Sequence, residues 1–233
     1  MDVKLIAKRI LETEDMIKKL EKEKASIVTS YEKNGDIKPK VVWKYDCYLQ
    51  AVLYRSIDIA KETLSLWKET KSVTAIILAR SLMETVAAVY WLVTRADKKI
   101  AKKDFAGIDE EVMNLSFANK IDAELPQAKS VITYLETVDK LKPQYTEVYA
   151  ILCEESHPNH MGTLYSYAKI DKETRDVKFF DTHPNAGLFL ANNLPAALIG
   201  SLTIMEITLS NYYNMRPQLL VLALADLKQS SKV

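Results

Sequence analysis

The feature that most limits how this chain can fold is the segment from Ser72 to Val93, which is apolar around its whole circumference when wound as a helix, yet carries Arg80 and Glu84 at its centre. The pair shares a face with Val73, Ile77, Ala87 and Trp91, while Leu78, Leu82 and Val89 make the opposite face apolar too. A helix of this kind belongs in the middle of a bundle. Burying a guanidinium and a carboxylate is costly unless each finds partners, so the sequence predicts a polar network around Arg80 and Glu84, serving either as a brace or as a site.

The rest of the chain reads as helices that can surround such an element. Over residues 1–34 a narrow stripe of Val3, Ile6, Ile10, Ile17, Leu20 and Ile27 repeats at alternating spacings of three and four, with Thr13 and Lys24 filling the seam. It predicts one amphipathic helix from Val3 to about Ser30, able to lie along the bundle or to zip to a second copy, and Asn34-Gly35-Asp36 with Pro39 ends it. A second helix is expected over Val41–Trp67, with Trp43, Cys47, Gln50, Tyr54, Ile57, Leu64 and Trp67 near one face. The short gap at 69–71 makes it an antiparallel neighbour of the Arg80 helix. The basic run between Asp97 and Asp104 reads as a solvated helix end, with phosphate binding as its rival. Further helices are expected over Asp109–Glu124 and from Gln127 or Ser130 to Glu155, the latter with a kink at Pro143.

Pro158 forces the end of that last helix and sets His157 at its terminus. Leu164–Ile170 and Asp176–Asp181 then alternate around a polar turn, which predicts a small hairpin within 161–184 that packs on the bundle. The aromatic run Tyr165, Tyr167, Phe179 and Phe180 is expected in that packing, with base stacking as the alternative. Asn185 is expected to cap a helix to about Tyr213, and Pro217 to open a last one through Leu227, so residues 185–229 form two C-terminal helices. With only five glycines among 233 residues, the chain reads as one mainly α domain: a bundle of six to seven helices, cored by residues 41–157, with a β-hairpin insertion.

Composition excludes little about partners. The net charge of +1 neither demands nor forbids nucleic acid. Charges interrupt the first ten residues where a secretion signal would be apolar, so the expected location is cytoplasmic, with Cys47 and Cys153 reduced and buried. Val73–Val93 and Ala186–Met205 approach membrane-spanning length, but the charges of the first and the Asn192-Asn193-Pro195 group of the second predict core helices and no membrane contact.

The three histidines all fall between 157 and 183, and two of them head the same tripeptide, His157-Pro158-Asn159 and His183-Pro184-Asn185. His183 reads as a plain helix boundary. His157, at a helix end and next to Glu154 and Glu155, is a candidate to meet Arg80 and Glu84 as acid or base, or to brace them. Tyr149, Glu155, Asn159 and His160 are the binding candidates around that set. Glu84, Glu155, His157 and His160 have metal-ligating chemistry, but Pro158 separates the histidines and Arg80 would put a cation among the ligands, so no metal or other cofactor is expected.

Ala79-Arg80-Ser81-Leu82-Met83-Glu84, followed by the helix end from Tyr149 through Ser156-His157-Pro158, resembles an uncharacterised bacterial all-helical family that is similar to the HEPN-like superfamily. Several members of that superfamily are RNases or nucleotide-handling partners in toxin–antitoxin and defence systems. The resemblance, over Val41–Tyr213, implies a bundle in which Arg80 and His157 converge on a nucleotide, RNA or protein partner. It departs in having no arginine four to six residues ahead of His157, where the RNase signature places one. Three readings stay open: an HEPN-like binder, RNase-like if an enzyme at all; a non-catalytic interaction bundle, with a homodimer by its N-terminal seam as one form, in which Arg80, Glu84 and His157 are a brace; and a metal-dependent hydrolase.

Overall fold

A computed structural model describes residues 3–119, 121–122, 124–185 and 187–230. Those residues form seven α-helices, one π-helical turn and a two-stranded antiparallel hairpin, the mainly α bundle that the sequence predicts. The helices are α1 (Val3–Glu21), α2 (Lys40–Lys68), α3 (Ser72–Ala101), α4 (Phe105–Ser116), α5 (Val131–Asp139), α6 (Tyr145–Ser156) and α7 (Gly187–Ser230). The π turn is Met161–Tyr165, and the strands are β1 (Ala168–Ile170) and β2 (Val177–Phe179).

Helix α3 is the axis of the bundle, packed by α2, α4, α5, α6 and α7. Ala75, Ile76, Ala79, Leu82, Met83, Val86 and Val89 are all buried, as an apolar helix requires. The burial is not complete around the helix, however. Ile77 is exposed, and Arg80, Ser81, Glu84, Thr85 and Ala88 form a half-buried strip, because Arg55 of α2 and Tyr149 of α6 close over small side chains and leave the charged pair at the rim. Windows of α3 and of α7 are long and apolar enough to cross a membrane, and 56% and 61% of them are buried within the bundle.

The other departures have local causes. Helix α1 stops at Glu21, well short of Ser30, because the Gln50 side chain captures the chain beyond it: the Ala25 N–H donates to Gln50 Oε1 (2.9 Å) and Gln50 Nε2 donates to the Glu23 carbonyl (3.1 Å). Ile27, the last residue of the stripe, is exposed, while Ile17 and Leu20 are buried and α1 lies along α7 and α2. On α2, Trp43 and Tyr54 are exposed, and the buried face runs instead through Tyr45, Leu49, Leu53, Ile57 and Leu64. Asp104 accepts from the Gly107 N–H and starts α4 earlier than expected; Asn119 takes the N–H groups of Ile121 and Asp122 and ends that region early.

The long helix expected up to Glu155 is two helices. Gln144 adopts a left-handed conformation (φ 72°) beside Pro143, and Asp139 accepts from the Thr146 N–H (3.0 Å) to begin α6. Conversely, the two helices expected at the C-terminus are one. Tyr212, Met215, Leu219 and Ala223 continue a single buried stripe in helical phase across Pro217, and that packing carries the helix through the missing donor. The side-chain amide of Asn185, expected as the cap of α7, donates back to the Tyr165 carbonyl (2.6 Å). The two cysteines are unpaired and half-buried rather than fully buried.

The hairpin shows the largest difference. The start of the expected first strand, Leu164 and Tyr165, winds into the π turn, and the strands are only three residues each. They contact each other and the π turn, but little of the bundle. Tyr165, Tyr167, Phe179 and Phe180, expected as packing, are all exposed, Phe179 by 70%, and so are Val177 and Ile170, the latter by 66%. They form an arm.

Candidate functional site

The polar network predicted around Arg80 and Glu84 exists, and it joins α3 to α6. Arg80 Nε donates to Glu84 Oε1 (3.2 Å) and to the Tyr149 hydroxyl (3.3 Å), and Arg80 Nη1 donates to Ser156 Oγ (3.3 Å). The Tyr149 hydroxyl in turn donates to Glu84 Oε1 (2.7 Å), and Ser156 Oγ donates to the Cys153 carbonyl (3.0 Å). The i,i+4 spacing sets the two charges one turn apart on α3, and Tyr149 closes the triangle from the facing helix. Its ring also lies 5.5 Å from the Arg80 guanidinium carbon.

Electrostatics follow the geometry. The Tyr149 hydroxyl raises the Arg80 pKa further above its ordinary value, and burial together with the Glu84 bond pushes the Tyr149 phenol up. The neighbouring motif residues are also engaged: Ser81 Oγ and Thr85 Oγ1 accept from Arg55 of α2 (both 3.2 Å), and Leu82 is buried in the core. Arg80 and Glu84 are 33% and 36% exposed, so they sit at the rim of the bundle rather than sealed inside it.

The remaining predicted residues do not join them. His157 is the C-cap of α6 with extended backbone, as Pro158 requires, but its side chain is exposed and makes no hydrogen bond among the described residues. Ser156, one residue earlier, takes the place predicted for it. Asn159 braces the turn, donating to Glu154 Oε2 (3.0 Å) and accepting from the Gly162 N–H (3.1 Å). His160 is exposed, its ring 6.4 Å from that of Tyr165. No group of three His, Cys, Asp or Glu residues is placed to hold a metal among the described residues. Glu84 and Glu155 belong to different clusters, and the metal-ligand set is thereby dispersed.

Glu155 meets the histidine that the sequence reading left as a plain boundary. His183 is buried, its Nδ1 accepts from the Asn185 N–H (3.2 Å), and its Nε2 faces Glu155 Oε2 at 3.7 Å. Neither of those last two atoms has a hydrogen-bond partner among the described residues. Accepting at Nδ1 places the proton of a neutral His183 on Nε2, toward the carboxylate. The repeated His-Pro-Asn tripeptide was the available signal. Gly162 makes this junction possible, because a Cβ there would lie 2.0 Å from the His157 carbonyl oxygen.

A second polar cluster, at the other end of the bundle, has no signal in the sequence. Asp46 of α2 accepts from Arg216 Nε and Nη2 (both 3.0 Å), from Lys38 Nζ (2.9 Å) and from the Tyr212 hydroxyl, and Arg216 Nη2 also reaches Glu32 (2.9 Å). Burial pushes the Asp46 carboxyl up, but the bonds from Arg216, Tyr212 and Lys38 outweigh it and hold it below the ordinary carboxylate value. This network fastens the 22–39 loop to α2 and α7. A cleft of about 530 Å³ lies beside it, lined by Ile27, Val28, Leu49 and Tyr213. A smaller one of about 260 Å³ lies between α3 and α4, where Arg95 and Lys129 flank the Trp91 ring. Neither is lined by Arg80, Glu84 or His157. The basic end of α3 is tied down locally, Lys99 pairing with Asp104 (2.9 Å).

No protein-family model, curated protein or solved structure matches this chain.

Proposed function

We propose that this protein is a non-catalytic helical interaction protein, in which the bundle is a scaffold and the hairpin arm is the contact surface. The observation that carries this reading is the arm's exposure. A two-stranded hairpin is at best marginally stable alone, yet this one keeps Phe179, Ile170, Val177 and Phe180 in water instead of against the helices. The Arg80 cluster supports it from the other side. Its donors and acceptors serve one another across α3 and α6, which is the work of a brace. Replacing Ala168–Phe179 by Asn-Gly, to join the paired residues Tyr167 and Phe180 with a two-residue turn, tests it. The expected result is a Tm within about 3 °C of the parent and a loss of hydrophobic-dye binding. Collapse of the bundle would make the arm a structural element and overturn the reading.

A second reading is favoured by the Arg80–Ser156 bond, which brings the partly exposed guanidinium up to the residue before His157. An HEPN-like RNA or nucleotide binder would use Arg80 for phosphate and His157 beside it. It expects Arg80→Ala to stay folded and lose binding of a single-stranded RNA oligonucleotide. The brace expects that variant to lose stability and to bind RNA no worse than the parent.

A further inference from the structure

Within the arm, β1 and β2 form a ladder whose pairs carry like charges. Lys169 stands opposite Lys178, and the Asp171 N–H donates to the Asp176 carbonyl (2.9 Å) so that Asp171 stands opposite Asp176. Like charges directly opposite are unfavourable. Lys169, Lys178 and Asp176 make no ion pair among the described residues that would relieve them.

The same ladder fixes which backbone groups are free. The Phe180 N–H donates to the Tyr167 carbonyl (2.9 Å), so 167/180, 169/178 and 171/176 are the hydrogen-bonded pairs. The amides and carbonyls of Ala168 and Ile170, and of Val177 and Phe179, therefore point away from the hairpin. On the β1 side the Asn185 amide donates to the Ala168 carbonyl (3.4 Å) and partly covers the edge. On the β2 side nothing described covers Val177 or Phe179. An uncovered, apolar, unpaired edge is a template for another strand.

We infer that the occupant of this edge is a second copy of the chain, its β2 paired antiparallel to β2 about a two-fold axis at Val177. This rests on reading the arm as a contact surface. Pairing through the outward groups must match odd positions with odd and even with even. Centring on Asp176 or on Lys178 sets a charge against itself. Centring on Phe179 brings no opposite charges together. Centring on Val177 sets Asp176 opposite Lys178 of the second copy, twice by symmetry, stacks Val177 on Val177, and brings Arg175 to the exposed Phe179 ring. It gives each like-charged pair of the hairpin an opposite charge from the other copy, and it turns two marginal strands into a four-stranded sheet. Other occupants fit less well. From 167 to 181 four cations (Lys169, Lys172, Arg175, Lys178) are matched by four anions (Asp171, Glu173, Asp176, Asp181), so the arm offers no net attraction to nucleic acid or to an anionic membrane.

Sedimentation equilibrium of the full chain with a charge swap tests this. The wild type should show a concentration-dependent dimer; Asp176→Lys and Lys178→Asp should each weaken it about tenfold, and the double variant should restore it to within about threefold of wild type. A wild type that stays monomeric at millimolar concentration, a dimer indifferent to the single swaps, or a double variant that does not recover would overturn the proposal. So would a Phe179-dependent affinity for a single-stranded RNA oligonucleotide or for anionic vesicles in place of dimerisation. The arm-replacement test is read on Tm and dye binding, so a monomeric wild type would sink the self-pairing and leave the contact-surface reading to that separate result.

Discussion

The Arg80 cluster and the hairpin arm are opposite mismatches between side chain and surroundings. In the first, charged groups sit in an apolar helix and bond each other and the Tyr149 and Ser156 hydroxyls of the facing helix. In the second, apolar groups sit in water and the chain supplies almost nothing to cover them. A mismatch resolved internally holds a fold together, whereas one left open is where an outside partner gains free energy. That contrast is why function is assigned to the arm, although the sequence points first to Arg80.

The largest effect that would sharpen the contrast is expected at the third region, the Asp46 network. Arg216→Ala leaves the carboxylates of Asp46 and Glu32 without their shared cation in a mostly buried setting, and should cost about 3 kcal/mol in denaturant unfolding. The pH dependence carries a sign. The folded-state Asp46 carboxyl titrates below its unfolded value, so its stabilisation is present above about pH 4 and is lost as pH falls through the lower, folded value. Asp46→Asn should flatten that acid limb in a series of thermal melts.

Gly162→Ala tests the joint between bundle and arm. The new methyl would overlap the His157 carbonyl, which is backbone and has little room to move, so a loss of about 2 to 3 kcal/mol is expected. A neutral result would mean that the π turn shifts freely and that the arm's position is not set by the end of α6. Arg80→Ala comes next, at about 1 to 2 kcal/mol, less than a sealed ion pair would cost because both partners are one third exposed. An unchanged stability would break the brace reading. The smallest effect belongs to the arm itself: Phe179→Asp should alter stability by no more than about 0.5 kcal/mol while abolishing hydrophobic-dye binding.

What could be read from the sequence depended on how far apart the interacting residues lie. Arg80 and Glu84 are one helical turn apart, so their shared face and their need for partners were visible in a single segment. Asp46 meets Lys38, Tyr212 and Arg216, with Glu32 joined through Arg216; these positions span nearly the whole chain, and no local pattern marks them as partners. His157 was placed correctly at a helix end by the proline rule, but the direction of its side chain depends on packing that no spacing encodes. The hairpin was legible from its period of two, and its exposure was not, since the same alternation serves a strand that packs and a strand that stands free. Pro217 shows the reverse case, where a local breaker is overridden because Tyr212, Met215, Leu219 and Ala223 keep one buried stripe in phase.

The most direct measurement of the central claim is amide hydrogen exchange at low and at high protein concentration. If the arm is the contact surface and a second copy is its occupant, the outward amides of Val177 and Phe179 gain protection as concentration rises, while the amides of α3 around Arg80 exchange at the same rate throughout. Arm amides that exchange equally fast at every concentration, together with α3 and α6 amides that become protected when a single-stranded RNA oligonucleotide is added, would contradict it and return function to Arg80.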